Sequence, residues 1–213
     1  MPARTRPPRR SQSERSAHTR GRILDAALAC LAERGFSGTT TTAVAERAGV
    51  SRGAQLHHFR TRHELLAAAV QHLYAGLTER YQRGFAQLDP DVDRLRAGLA
   101  LLWEAYLDPG LTAVLELQVA ARTDAALREA LLSVAERHAG NIHRLAREYF
   151  PDAAVANPRF AAGLDLILDT FGGLRTRALL RPDDPAIPRT LALVEDLARM
   201  MLIADDAGAR QHA

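Results

Sequence analysis

Apolar residues recur three and four positions apart along nearly the whole chain, the spacing that lines one face of an α-helix. Ile23, Leu24, Ala27, Leu28 and Leu31 set this pattern for a first helix, and Gly35 stands where its C-cap would be. A short second helix is expected from Thr41 to Ala48, stopped by Gly49. Ser51 is a good N-cap for a third, reaching about Phe59. Thr61 followed by Glu64 is a capping-box pattern, and it opens a long fourth helix carrying Leu65, Leu66, Ala69, Leu73 and Leu77. Asp89-Pro90 breaks that helix.

Further on, a fifth helix is expected over about Asp91–Leu107, a sixth over Leu111–Arg122 and a seventh over Asp124–Tyr149, ending before Pro151. Asn157-Pro158 reads as an N-cap and first-turn proline opening an eighth helix to about Leu180. A ninth follows the Arg181–Pro185 turn and runs to about Ala204. No segment alternates with the period of two that a half-buried strand needs. The expected fold class is therefore all-α: a three-helix head at the N-terminus followed by a larger helical body, about nine helices together.

Composition narrows the function classes. Hydrophobic residues make up 47% of the 213 positions, enough to bury a core. No run approaches the roughly 18 apolar residues of a membrane-spanning helix. The arginine-rich start has no apolar stretch behind it, so no secretory signal is expected and the expected compartment is the cytoplasm. The single cysteine, Cys30, excludes an internal disulfide framework and a multi-cysteine zinc site. There is no glycine-rich phosphate loop, nucleophile elbow or facing carboxylate pair, so an enzyme is not expected. Neither a cofactor nor a metal is expected: His57 and His58 are adjacent, and adjacent helical residues do not share a face.

Charge is unevenly spread. The net charge of +3 divides into +8 over residues 1–62 and −5 over residues 63–213. A basic N-terminal third on an acidic remainder is the outline of a nucleic-acid-binding head on a body with another task. Residues 1–14, with three prolines and four arginines, are expected to form a disordered basic tail able to trail along phosphates.

The segment Thr39–Phe59 concentrates the signal. Gly49 permits the left-handed backbone that turns the chain after the second helix. Val50, apolar within a turn, makes sense as a plug between helices. Ser51 caps the third helix and can also donate to a phosphate. Ala45 is small, as a close helix crossing requires.

Residues 35–66, GFSGTTTTAVAERAGVSRGAQLHHFRTRHELL, resemble the DNA-binding head of the TetR family of transcriptional regulators. The matching positions are Gly35-Phe36, Thr39-Thr40, Val44-Ala45, Ala48 to Ser51, Gly53, His57-His58-Phe59 and Thr61-Arg62. The resemblance implies a helix-turn-helix over residues 15–62, an effector-binding and dimerisation body over 63–206 and a frayed tail at 207–213. It implies that Thr39 and Thr40 offer hydroxyls and amides to phosphate. Arg52, Gly53 and Gln55 would face the major groove, with Gln pairing adenine and Arg pairing guanine. Gly53 would let the backbone come close, His57 and His58 would reach phosphates, and Arg62 would stand for the family's phosphate-binding lysine. Where most members carry tyrosine this chain has Leu56, which either meets a thymine methyl or packs inward.

For the body the resemblance implies a ligand site between helices. Leu99, Trp103 and Tyr106 form an apolar face with two polar handles, and Val134, His138 and Asn141 recur along the seventh helix. Together with Phe171 these are the candidate effector contacts, and they suggest a hydrophobic ligand. The plainer reading is that Trp103 is core and His138 is solvated. Arg122 and Asp124 flank a helix break and are candidates for an ion pair. The last two helices are expected to build a homodimer interface, with Phe160, Leu164, Leu168, Gly172, Leu191, Val194 and Met201 as candidates. The expected function is a repressor that holds double-stranded operator DNA and is released by a small molecule. The alternative is an architectural, nucleoid-associated DNA-binding protein without an effector.

Overall fold

A computed structural model describes residues 11–202, which form ten helices and no strand. They are α1 (Gln12–Gly38), α2 (Thr41–Ala48), α3 (Arg52–His58), α4 (Arg62–Ala86), α5 (Arg94–Tyr106), α6 (Gly110–Ala121), α7 (Ala125–Tyr149), α8 (Pro151–Ala156), α9 (Phe160–Leu180) and α10 (Ala186–Leu202). The expected tail over residues 1–10 and the expected frayed end at 207–213 lie outside the described residues.

Three local features depart from the sequence reading. Ser11–Glu14, assigned to the tail, instead starts α1 with a complete capping box. The Glu14 amide donates to Ser11 Oγ at 3.2 Å and the Ser11 amide donates to Glu14 Oε2 at 2.7 Å. At Gly35 the backbone turns left-handed (φ 65°), yet one more helical turn follows before Thr39. As expected α7 ends at Tyr149, before Pro151, but Pro151 then opens a further short helix that the periodicity does not predict. The proline occupies the first turn of α8, where its missing N–H costs nothing. Asn157 accordingly closes α8 instead of opening α9, and its Oδ1 accepts the Arg159 amide at 2.9 Å.

The chain divides into two compact units. The first takes the N-terminal residues to Leu73 together with Thr112–Val134. Its core joins Ile23, Leu24, Ala27 and Cys30 of α1 to Val44 and Ala48 of α2, Phe59, and Leu65 and Ala69 of α4. Spacings of three and four put each set on one helix face, and burying that face drives the packing. Outside the core, Glu33 of α1 accepts a two-pronged bond from Arg47 of α2, at 2.6 and 2.7 Å.

The second unit comprises Tyr74–Leu111 and the residues from Ala135 onward. Leu95, Phe160, Ile167, Phe171, Val194 and Ala198 form its core, with Leu99, Leu102, Trp103, Tyr106, Leu191 and Met201 packed against it. Arg199 of α10 donates to Asp93, the N-cap of α5, at 2.6 Å. No helix among the described residues is long and apolar enough to cross a membrane.

Candidate functional site

The helix-turn-helix is built as its residues dictate. Thr40 caps α2, accepting the Ala43 amide on Oγ1 at 3.1 Å. Gly49 takes φ 61°, ψ 41°, and its amide bonds back to the end of α2. A Cβ there would sit 2.9 Å from the Arg22 guanidinium, which also donates to the Ala48 carbonyl and so pins the turn to α1. Val50 packs half-buried against the head core. Ser51 caps α3, accepting the Ala54 amide at 3.1 Å. Each cap spends a lone pair of its hydroxyl and leaves the hydroxyl proton available to an external acceptor.

α3 has seven residues, and its rotational phase decides which of them face outward. Arg52, Gly53, Leu56 and His57 are exposed, Leu56 at 50%. Phe59 and Gln55 point into the head, at 2% and 1% exposure. The expectation that Gln55 reads bases is therefore corrected: its side chain is interior, and Oε1 finds no hydrogen-bond partner among the described residues. The open choice for Leu56 resolves outward. Gly53 has nothing closer to a would-be Cβ than Ser51 Oγ at 3.9 Å, so the fold itself does not require a glycine there. His58 is half-buried beside His57, and burial holds its imidazole below the usual histidine range. The pair does not converge on one point: the rings are edge-on, 5.6 Å apart.

Two further expectations change role. Thr39 is 1% exposed and its hydroxyl donates to the Gly35 carbonyl at 2.8 Å, so it ties off the end of α1 and offers nothing to phosphate. Arg62 donates from Nε to the Thr39 carbonyl at 2.8 Å and from its terminal nitrogen to the Phe36 carbonyl. Its guanidinium lies 4.0 Å from the Phe36 ring centroid. It fastens the α1–α2 loop to the start of α4. Arg20, over the Phe59 ring at 5.2 Å, and Arg22 do comparable work from α1. The sequence reading missed both, because side chains on a long helix give no signal of what they reach across to.

Next to this head, Asp124 does not pair with Arg122. It caps α7 through the Leu127 amide at 2.9 Å and meets His63 of α4 at 3.0 Å. The Leu127 bond is the main reason its carboxyl stays below the usual range, with His63 adding to it.

In the second unit the aromatic candidates converge. Trp103 and Tyr106 each meet Phe171 edge-on, with centroids 5.6 Å apart. Burial pushes the Tyr106 hydroxyl up to about 12 and the His138 imidazole down to about 4. His138 is stacked flat on Tyr74 at 3.7 Å, a residue the sequence reading did not single out. Leu99 packs against the same core, Asn141 is exposed, and Val134 belongs to the first unit, buried at 4%. Arg175, one turn past Phe171 on α9, is only 7% exposed. No group of three or more metal-ligating side chains occurs among the described residues.

The dimer candidates largely face their own chain. Phe160, Leu164 and Val194 are buried, and Leu191 and Met201 pack on the same core. Gly172 lies under Tyr106, 3.9 Å from a would-be Cβ, and Leu168 is half-buried. The apolar side chains that α9 and α10 leave in solvent are Leu166, Leu179, Leu180, Leu193 and Met200.

Residues 23–69 match the family model for bacterial regulatory proteins of the tetR family. The HTH-type transcriptional regulator CymR of Pseudomonas putida is 35% identical over 193 residues, covering 91% of this chain and 95% of its own length. Among solved structures, a TetR-family member from Streptomyces coelicolor aligns with a TM-score of 0.64 at 26% identity, covering 84% of this chain and 97% of its own. The multidrug binding protein EbrR complexed with ethidium aligns at 0.59 and 26%, covering 84% and 98%. Helix order, the α2–Gly49–α3 turn and these likenesses together place the chain: it belongs to the tetR family of bacterial regulatory proteins and is an HTH-type transcriptional regulator.

Proposed function

We propose that the protein is a cytoplasmic homodimeric repressor that holds operator DNA through residues 15–62 and releases it when a small molecule occupies the body over residues 63–206. The observation that carries the DNA-reading part is the outward face of α3, where Arg52, Gly53, Leu56 and His57 stand clear of the head. Arg52 would pair guanine and Leu56 would cover a thymine methyl. His57, His58, Thr40 and Ser51 would donate to phosphates. Gly53 keeps the helix bare where the base edges come closest. Thr39, Gln55 and Arg62 act from behind, holding the reading helix in place.

The pairing surface we assign is the exposed set on α9 and α10: Leu166, Leu179, Leu180, Leu193 and Met200. Gly173, with nothing within 4 Å of a would-be Cβ, leaves room there for the partner's helix. The effector reading is supported by the buried aromatic cluster of the second unit and by a structural relative described as a multidrug binding protein in complex with ethidium. α4 runs from the head into the second unit and is the natural element to transmit a change. An effector can shift the operator-bound state only by as much as its affinities for the two states differ. No catalytic step is assigned. The regulator names of the relatives do not favour an architectural role.

Selection of bound duplexes from a random pool tests this reading. It should enrich two inverted half-sites centred about one helical turn apart. Enrichment of a single half-site, or of none, contradicts it.

A further inference from the structure

Four arginines of the head are occupied by the head itself. Arg22 donates to the Ala48 carbonyl, Arg47 to the Glu33 carboxylate, and Arg62 to the Thr39 and Phe36 carbonyls, while Arg20 lies over the Phe59 ring. Arg60 is different. It is exposed, and its guanidinium meets no group among the described residues.

The backbone around Arg60 is fixed at every step. Phe59 closes α3 in an extended conformation (φ −142°, ψ 112°), with its amide on the Gln55 carbonyl at 2.8 Å. The Arg60 amide donates to Glu64 Oε2 at 2.9 Å, and Thr61 Oγ1 accepts the Glu64 amide at 3.0 Å. Side chains alternate along extended backbone, so burying Phe59 turns Arg60 outward. A cation on a long stem thus stands on a rigid corner between the reading helix and α4.

The place of this corner along α3 decides what the cation can reach. α3 has seven residues, which at about 1.5 Å each make it about 10 Å long. The major groove is about 12 Å wide. Ser51 before the helix and Arg60 after it therefore stand about one groove width apart. From Arg47 to His63 the chain carries no acidic residue. Glu64, the first acid beyond, is turned back onto the Arg60 amide.

Resting on the operator-holding reading above, we propose that Arg60 is the phosphate anchor at the far end of the reading helix. Its guanidinium grips the backbone of one strand while Ser51 meets that of the other, so α3 is held across the groove from wall to wall. A guanidinium fork takes two oxygens of one phosphate, which fixes orientation as well as charge. Phosphates carry no sequence, so the contact tethers every duplex alike. The corner thereby supplies a cation that Arg62, two residues on and turned into the fold, does not.

Fluorescence anisotropy of the full-length protein tests this on a duplex enriched by selection from a random pool and on an unrelated duplex of equal length, each over a salt series. Arg60→Gln should melt with the unaltered protein, since the guanidinium serves no contact among the described residues. It should bind both duplexes about tenfold or more weaker. Its plot of log K against log salt concentration should have a slope smaller by about one. Arg60→Lys should restore the slope and only part of the affinity. A second series places one uncharged methylphosphonate linkage at each phosphate of the selected duplex in turn. At one linkage in each half-site the substitution should weaken the unaltered protein and leave Arg60→Gln as it was. An undiminished slope in Arg60→Gln overturns the proposal, and so does a lowered melting temperature, a loss confined to the selected duplex, or neutral linkages that weaken both proteins equally everywhere. Those results leave the operator-holding reading standing. A protein that binds no duplex overturns both.

Discussion

The Nε of Arg62 donates to the backbone carbonyl of Thr39 at 2.8 Å, joining the first turn of α4 to the loop that precedes the reading helices. With the same guanidinium also bound to the Phe36 carbonyl and lying on its ring, Arg62 has little left to offer a phosphate. Arg62→Ala is therefore expected to lower stability by about 1–3 kcal/mol, the usual worth of hydrogen bonds to a charged group. The salt dependence of DNA binding should keep its slope. A thermal melt and a plot of log K against log salt concentration measure the two effects. A slope smaller by about one would show a phosphate contact instead.

Gln55 buries an amide whose Oε1 has no hydrogen-bond partner among the described residues, and such a group costs about 1–3 kcal/mol. Gln55→Met keeps the volume and removes the polar atoms. It should raise the melting temperature and leave operator preference unchanged. Leu56→Ser, one residue on and exposed, should do the reverse: little change in melting, and relaxed preference at one A·T pair of the site. Selection experiments with both variants separate the inward residue from the outward one.

How much of this was legible in the sequence differs by residue. The α2–turn–α3 unit was readable almost to the residue, because Gly49 and Ser51 each do something few other residues can. The phase of α3 was not, since a seven-residue helix with few apolar positions gives no moment to orient it. Gln55 is consequently expected on the outward side and Leu56 on either, whereas the structure buries Gln55 and exposes Leu56. Thr39 and Arg62 carry side chains that serve phosphates or carbonyls equally well, and only tertiary contacts decide which. On α9 and α10 the apolar stripes were plain, but periodicity does not tell whether its own chain or a second copy covers a stripe. Pro151 marks the end of α7, but a proline that ends one helix and one that begins the next look alike, so the short α8 was not legible.

Gly53 gives a prediction of opposite signs. A Cβ there meets nothing closer than Ser51 Oγ at 3.9 Å, so Gly53→Ala should stabilise the free protein by about 0.5–1 kcal/mol. The same methyl would lie where the operator approaches, so affinity should fall about tenfold or more. Calorimetry and a binding titration on one preparation test both halves, and unchanged affinity would show that the glycine is not facing DNA.

His138 makes stability depend on pH. Burial lowers its folded pKa to about 4 from the ordinary 6.5, so between those values the unfolded chain holds a proton that the folded chain does not. Stability contributed by the neutral ring is present above pH 6.5 and is lost as pH falls toward 4. Two and a half pH units would amount to about 3 kcal/mol. Solvent reaching the half-buried ring reduces the expected loss to about 1–2 kcal/mol. His138→Phe retains a ring to stack on Tyr74 and should flatten this part of the stability–pH curve relative to the unaltered protein. Parallel curves for the two proteins would contradict the assignment.

Operator recognition requires the outward face of α3 to lie in the major groove of duplex DNA. Fluorescence anisotropy of the purified protein with the duplex upstream of its own gene, over a range of salt concentrations, tests that most directly. Tight binding that weakens linearly in log salt, and that Arg52→Ala lowers by about tenfold or more, is the predicted result. Binding that ignores salt, or that survives Arg52→Ala and Leu56→Asp together, contradicts it.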